Sequence, residues 1–155
     1  MTAKHCPECG FIFGGDRSLP DLRRFFALLR AAHMHFPENH PLTSSNEEQF
    51  RARILIEAGH AHVAKAEIPA SYAESEAARD YFRAAVDGAF RASDGKSAYR
   101  ELRVRGSSLE IISPRSISFP RSKQREFNAV RDSVEQIIEL ALGLPVEQLL
   151  RERAA

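Results

Sequence analysis

The chain has 155 residues, of which 43% are hydrophobic, and its formal net charge at pH 7 is +1. This size suits one ordinary domain with a buried core. No apolar run reaches the roughly 18 to 20 residues that cross a membrane. The start of the chain lacks the basic and apolar regions of a secretory signal, so we expect a cytosolic protein.

The chain opens with a cysteine pair that is typical of metal-binding knuckles. Cys6 and Cys9 are its only cysteines, and Gly10 lets the backbone turn so that both thiolates reach one ion. A structural zinc ion takes four ligands. We predict that His33 and His35 complete the site, which requires a frayed helix end to bring them together. The alternatives are a site shared with a second subunit and three other histidines, His40, His60 and His62.

The first predicted helix follows the knuckle and a Gly-rich hinge, which together span residues 1–16. Ser18 can cap this helix, and Pro20 and Asp21 suit its first turn. Apolar residues recur at spacings of three and four, which predicts a helix ending near His35. They are Leu22, Phe25, Phe26, Leu28, Leu29 and Ala32.

A second helix is predicted after a polar loop at residues 37–45. Ser44 or Ser45, with a glutamate three residues further on, indicates the helix start, and Gly59 indicates its end. The next residues, 60–64, have the character of a short strand.

A third helix and a β-hairpin follow in the second half of the chain. Residues 71–92 have helical composition. Residues 99–105 alternate, with Leu102 and Val104 facing inward, and a Gly-Ser turn leads to a second strand at 109–112.

A long helix from about residue 122 to residue 142 and a short helix after Pro145 end the chain. The elements together predict an α+β fold in which four to five helices pack around a small antiparallel sheet. The N-terminal zinc-knuckle-like CxxC segment precedes this domain, which spans residues 17–155.

Basic residues concentrate between positions 96 and 125, where Glu101 and Glu110 are the only acids. Single-stranded DNA is bound by cations along its backbone and by aromatic rings on which bases stack. The alternative is an ordinary solvated basic face. We predict a DNA-binding surface made of Tyr99, Arg103, Arg105, Arg115, Arg121, Lys123 and Arg125.

Three short stretches, taken together, have a distinctive order and spacing. They are Arg17-Ser18-Leu19-Pro20-Asp21-Leu22-Arg23-Arg24-Phe25-Phe26-Ala27-Leu28-Leu29, then Phe50-Arg51 with Ile56-Glu57-Ala58-Gly59-His60, then Arg115-Ser116-Ile117-Ser118-Phe119 with Glu126-Phe127. In this order they resemble a bacteriophage protein family of unknown function that is related to the NinB-type phage recombination proteins. The resemblance covers roughly residues 17 to 150. A helical insertion at about 71–98 and the cysteine knuckle depart from the family pattern, and so does the replacement of the NinB-type Gln-Asn pair within Pro20–Arg23.

The resemblance implies a phage or prophage accessory protein that works as a homodimer in the cytoplasm of the bacterial host. Its implied partners are single-stranded DNA and the host single-strand-binding protein, in recombination. The sequence holds no phosphate-binding loop, serine elbow or zinc-protease motif, so we expect no enzyme. The alternative is an anti-CRISPR-like inhibitor of bacterial defence that acts by protein–protein binding, through the acidic surface near Glu74, Glu76 and Asp80 or through the basic face.

Overall fold

The computed structural model describes residues 4–5, 12–13, 19–94, 99–117 and 124–154. Within these ranges the protein is α+β, with six helices and a three-stranded antiparallel sheet. The chain divides into two compact units, residues 1–59 with 116–155 and residues 60–115. None of the described helices is both long and apolar enough to cross a membrane.

The first unit is built on four helices that share one apolar core. They are α1 (Leu19–His35), α2 (Glu47–Glu57), α5 (Gln124–Leu142) and α6 (Val146–Ala154). Phe25 and Phe127 are almost fully buried and meet edge to face with ring centroids 5.5 Å apart. Phe50, Val134 and Leu149 complete this centre. The predicted bounds of the first helix and of the two C-terminal helices are confirmed to within a few residues.

The start of α2 differs from the prediction. Asn46 is the N-cap, and its side-chain oxygen accepts hydrogen bonds from the backbone N–H groups of Glu48 at 2.8 Å and Gln49 at 3.3 Å. Ser44 instead donates its hydroxyl to the side chain of Gln49. At the other end, Gly59 has the left-handed φ of +81° that the predicted stop requires.

The second unit joins a sheet to two helices. Its elements are β3 (Ala61–Glu67), α3 (Ala70–Ala73), α4 (Glu76–Asp94), β4 (Glu101–Arg105) and β5 (Ser108–Pro114). The strand order is β3-β5-β4, and both pairings are antiparallel. The predicted hairpin is confirmed, and its turn contains Gly106 with a φ of +59°.

The helical segment predicted at 71–92 is two helices rather than one. Ser75 separates α3 from α4, and its hydroxyl oxygen accepts a hydrogen bond from the N–H of Ala78 at 3.1 Å. A serine that caps a new helix start explains the break.

Two short strands lie on either side of the cysteine pair. β1 (Lys4–His5) pairs antiparallel with β2 (Ile12–Phe13). Cys6 and Cys9 fall between these strands in sequence and lie outside the described residues.

Candidate functional site

The predicted DNA-binding residues divide between the two units. Tyr99, Arg103, Arg105 and Arg115 belong to the second unit, whereas Arg125 is an exposed residue in the first turn of α5. The remaining two, Arg121 and Lys123, lie outside the described residues.

Arg103 and Arg105 share one face of the sheet with carboxylates. Arg103 lies 2.5 Å from a carboxylate oxygen of Glu101, and Arg105 lies 3.2 Å from one of Glu110. The strand register also places Lys65 opposite Glu110, and the two side chains approach to 3.8 Å. This sheet face is therefore of mixed charge, which weakens its attraction for a polyanion.

The other two predicted residues of this unit occupy different surroundings. The hydroxyl of Tyr99 donates a hydrogen bond to Glu101 at 3.1 Å, and its ring is half-buried. Arg115 has an exposed side chain, while its backbone N–H donates to the carbonyl oxygen of His60 at 2.9 Å. Tyr99 is thus held against the hairpin, and Arg115 extends into solvent.

A groove follows the line where α4 packs against β4. Phe82, Val86 and Phe90 recur every four residues along one side of α4, and each is half-buried. Strand alternation puts Leu102 and Val104 on one face of the sheet, where they line the groove, and Glu101 and Arg103 on the other face. Because β4 is an edge strand, Glu101 and Arg103 also border the groove, at the edge of the sheet. We call this depression the seam groove.

The seam groove consists of two adjoining parts that share Arg83 and Leu102. The part near the start of α4 has a volume of about 580 Å³, and the part near its end has about 320 Å³. In the first part, Arg79 and Arg83 are matched by Glu76 and Asp80. The two parts therefore differ in charge, because the second is rich in arginine.

The second part of the seam groove gathers four arginines and two carboxylates. The arginines are Arg83, Arg91, Arg100 and Arg103, and the carboxylates are Asp87 and Glu101. This local excess of positive charge faces a concave surface, where opposing walls focus the field on a bound ion.

Each of these arginines is positioned by a neighbour. Arg91 lies 2.9 Å from Asp87 and Arg83 lies 3.7 Å from Asp80, whereas the guanidinium of Arg100 lies 4.4 Å from the ring centroid of Phe90. Ion pairs at exposed sites contribute only about 0 to 1 kcal/mol, so an entering phosphate can compete for the same guanidinium groups. Guanidinium groups also bind phosphate oxygens in a bidentate manner.

The sequence pattern missed the contribution of α4 to this groove. Arg79 and Arg83 are four residues apart and therefore share one helix face, which is a recognisable signal. That signal becomes informative only with the packing of α4 on β4, because it is this contact that brings Arg83 beside Arg100 and Arg103.

The predicted zinc ligands His33 and His35, and the alternative ligand His40, lie in the first unit. Nε2 of His33 donates to the carbonyl oxygen of Ser44 at 2.8 Å, and its ring packs near Phe50 at 5.4 Å between centroids. His35 is exposed. Nδ1 of His40 accepts the N–H of Leu42 at 3.2 Å. His33 and His40 thus hold the loop between α1 and α2.

No group of three or more side chains able to hold a metal ion occurs among the described residues. The bond to Ser44 uses Nε2 of His33 and leaves Nδ1 as its metal-binding nitrogen, and His35 is open to solvent. His60 and His62, the other predicted pair, belong to the second unit.

No family model, curated protein or solved structure matches this chain.

Proposed function

We propose that this chain is a phage or prophage accessory protein of the NinB-like type, which binds single-stranded DNA and catalyses no reaction. The observation that supports the proposal is the second part of the seam groove, with its four arginines and two carboxylates. The family resemblance of the sequence points in the same direction.

A single strand of DNA suits this groove better than a duplex does. The groove runs along the contact between one helix and one strand, where a flexible backbone can follow the arginines. Arginine side chains on either wall can contact successive phosphates, and the apolar floor at Leu102 can contact sugar or base. Such binding has little sequence preference, because phosphates carry no sequence information.

A salt titration of oligonucleotide binding tests this proposal. Binding of a fluorescently labelled single-stranded oligonucleotide is followed by anisotropy at several salt concentrations. Contact with three to four phosphates predicts that the logarithm of the binding constant falls against the logarithm of salt concentration with a slope of about −2 to −3. The absence of binding at the lowest salt concentration would exclude the proposal.

We also propose a structural zinc ion at Cys6 and Cys9. Support comes from the two-residue spacing of the cysteines, which is typical of a zinc knuckle, and from the pairing of β1 with β2 on either side of them in sequence. Metal content is measured in the wild type and in Cys6→Ser, both purified without added zinc. We expect about one zinc ion per site in the wild type. Equal metal content in the two proteins would contradict the proposal.

The remaining two ligands are tested in the same assay. His33→Gln and His35→Gln are expected to lose zinc if these residues complete the site, whereas His62→Gln, an exposed histidine of the second unit, serves as the matched control. Zinc loss in His62→Gln alone would move the site to the alternative pair.

The protein partner is sought by capture from host lysate with the purified chain. Recovery of the host single-strand-binding protein supports the recombination role. Recovery of a defence nuclease complex instead would favour the inhibitor function, for which the acidic residues Glu74, Glu76 and Asp80 near the start of α4 offer a surface.

A further inference from the structure

The side of α4 that faces away from the sheet is uncharged along its centre. Residues at spacings of three and four share this side, and every one of them is exposed. Helices on a protein surface ordinarily turn charged and polar residues to water. The residues are Ala77, Tyr81, Ala84, Gly88 and Ala92. We call them the outer face of α4.

Tyr81 is the prominent side chain of the outer face. Its exposed fraction is 67%, among the highest of the large hydrophobic residues that the structure describes. Tyr72 stacks on its ring at 6.2 Å between centroids, with 16° between the planes. The stacking fixes the ring in place on the surface, so it is ready for a contact with little further loss of side-chain freedom.

Gly88 lies in the middle of α4, where a glycine costs about 1 kcal/mol relative to alanine. The φ angle of Gly88 is not positive, so the backbone conformation at this position does not require a glycine. A Cβ atom added here would meet nothing within 4 Å. No contact within the described residues therefore requires the glycine, and the missing side chain leaves room there for the close approach of another molecule.

We propose that a second copy of this chain packs on the outer face, with the two α4 helices antiparallel. A two-fold axis beside Ala84 and Ala85 sets the register. Tyr81 then lies over the partner's Gly88, where the missing side chain makes room for the ring. The same register brings Ala77 opposite the partner's Ala92, so that small residues meet at both ends. The contact is self-complementary, as a two-fold interface must be.

The charges that border the outer face fit the same register. Asp80 and Arg91 lie along one edge of it, eleven residues apart, with side chains that are 61% and 73% exposed. Antiparallel packing about that axis brings Asp80 near the partner's Arg91, twice by symmetry. Parallel packing about a two-fold axis would instead bring opposite edges of the two helices together, so Asp80 would meet the uncharged edge at Ala85 and form no such pair. Charge complementarity therefore selects the antiparallel arrangement.

The size of the interface sets its strength. A helix of 19 residues is about 28 Å long. Two such helices alone bury less than the roughly 1,200 Å² of a stable interface. We therefore expect a dimer that dissociates in the micromolar range or above. Asp80 and Arg91 lie on the edge that the outer face shares with the seam groove. The proposal does not depend on DNA binding, because self-association is measured on the protein alone.

Mixing two charge variants tests the interface. Sedimentation of Asp80→Arg alone and of Arg91→Asp alone is expected to show self-association about tenfold weaker than that of the wild type, because like charges meet twice. An equimolar mixture of the two restores it, since each arginine then meets an aspartate. A variant that merely misfolds gives no such rescue. A mixture that associates no better than either variant would overturn the proposal.

The variant Gly88→Gln gives a second test of the interface. The new side chain meets nothing within the described part of its own chain, so the helical circular dichroism signal is expected to stay or rise, while it blocks the partner's Tyr81. We expect at least tenfold weaker self-association. The matched control is Ser93→Gln, at an exposed position of the same helix that lies away from the outer face. Dimerisation of Gly88→Gln equal to that of the wild type would contradict the interface, as would a wild type that stays monomeric throughout.

Discussion

Asn46 shows how a single side chain sets the start of a helix. A serine with a glutamate three residues further on predicts a cap at Ser44 or Ser45, because both residues fit the capping pattern. Asn46 has the extended backbone that an N-cap needs, with φ −111° and ψ 124°, and it accepts two backbone N–H groups of the first turn. Sequence spacing cannot choose between neighbouring polar residues, since the choice depends on where the preceding loop delivers the chain.

Replacement of that cap is expected to weaken the first unit. Asn46→Ala leaves the N–H groups of Glu48 and Gln49 without this acceptor, so we predict that the free energy of unfolding falls by about 1 kcal/mol. Ser45→Ala, an exposed neighbour, is expected to change it by less than about 0.5 kcal/mol. Urea denaturation measures both, and equal effects would contradict the role of Asn46.

At the scale of elements, Arg24 connects three helices of the first unit. It extends from α1 to Glu135 on α5, with 2.6 Å between Nη1 and Oε1, and it also pairs with Glu147 on α6. The hydrogen bond to Glu135 is the largest of the contacts that raise the pKa of Arg24. Since the pKa is raised, this contribution is present at all pH values below the ordinary arginine pKa and is lost only in strong alkali.

Loss of this connection is expected to cost more than loss of an ordinary surface pair. Arg24→Ala removes both contacts, so we predict a decrease of about 1 to 2 kcal/mol in the free energy of unfolding at pH 7. Arg30→Ala removes the more exposed pair with Glu47, at 3.3 Å, and is expected to cost less than about 0.5 kcal/mol. Thermal and urea denaturation compare the two, and a larger loss in Arg30→Ala would contradict this account.

Most helices and strands of the fold could be predicted from the sequence, because their sequence signals are local. The apolar spacing of α1 and α5 and the alternation of the hairpin each depend on neighbouring residues. The strand order could not be predicted from the sequence, since β3 pairs with β5 and not with β4, the strand that follows it in the chain. The prediction of helices around one sheet likewise differs, because α1, α2, α5 and α6 pack on one another in the first unit.

At the scale of the whole molecule, the candidate site was predicted only in part. Arg103 came from the basic stretch of sequence, and it does line the seam groove. Arg83 and Arg91 are contributed by α4, which is distant in sequence and reaches the groove through tertiary packing. The pairing of Arg103 with Glu101 and of Arg105 with Glu110 was also hidden in the sequence, since it follows from strand register and side-chain direction.

The account places single-stranded DNA in the seam groove, and variants of two groove arginines test this most directly. Oligonucleotide anisotropy is measured at one low and one moderate salt concentration. The groove variants are Arg83→Ala, Arg103→Ala and their combination. They are compared with Arg151→Ala, at an exposed arginine of α6, and with Arg125→Ala from the predicted basic zone. Each single groove variant is predicted to lower the affinity several-fold and to reduce the salt slope by about 0.7, and the combination to reduce it by about 1.4. The Arg151→Ala control is predicted to leave both unchanged. Equal affinity in all five proteins, or a loss confined to Arg125→Ala, would contradict binding in the groove.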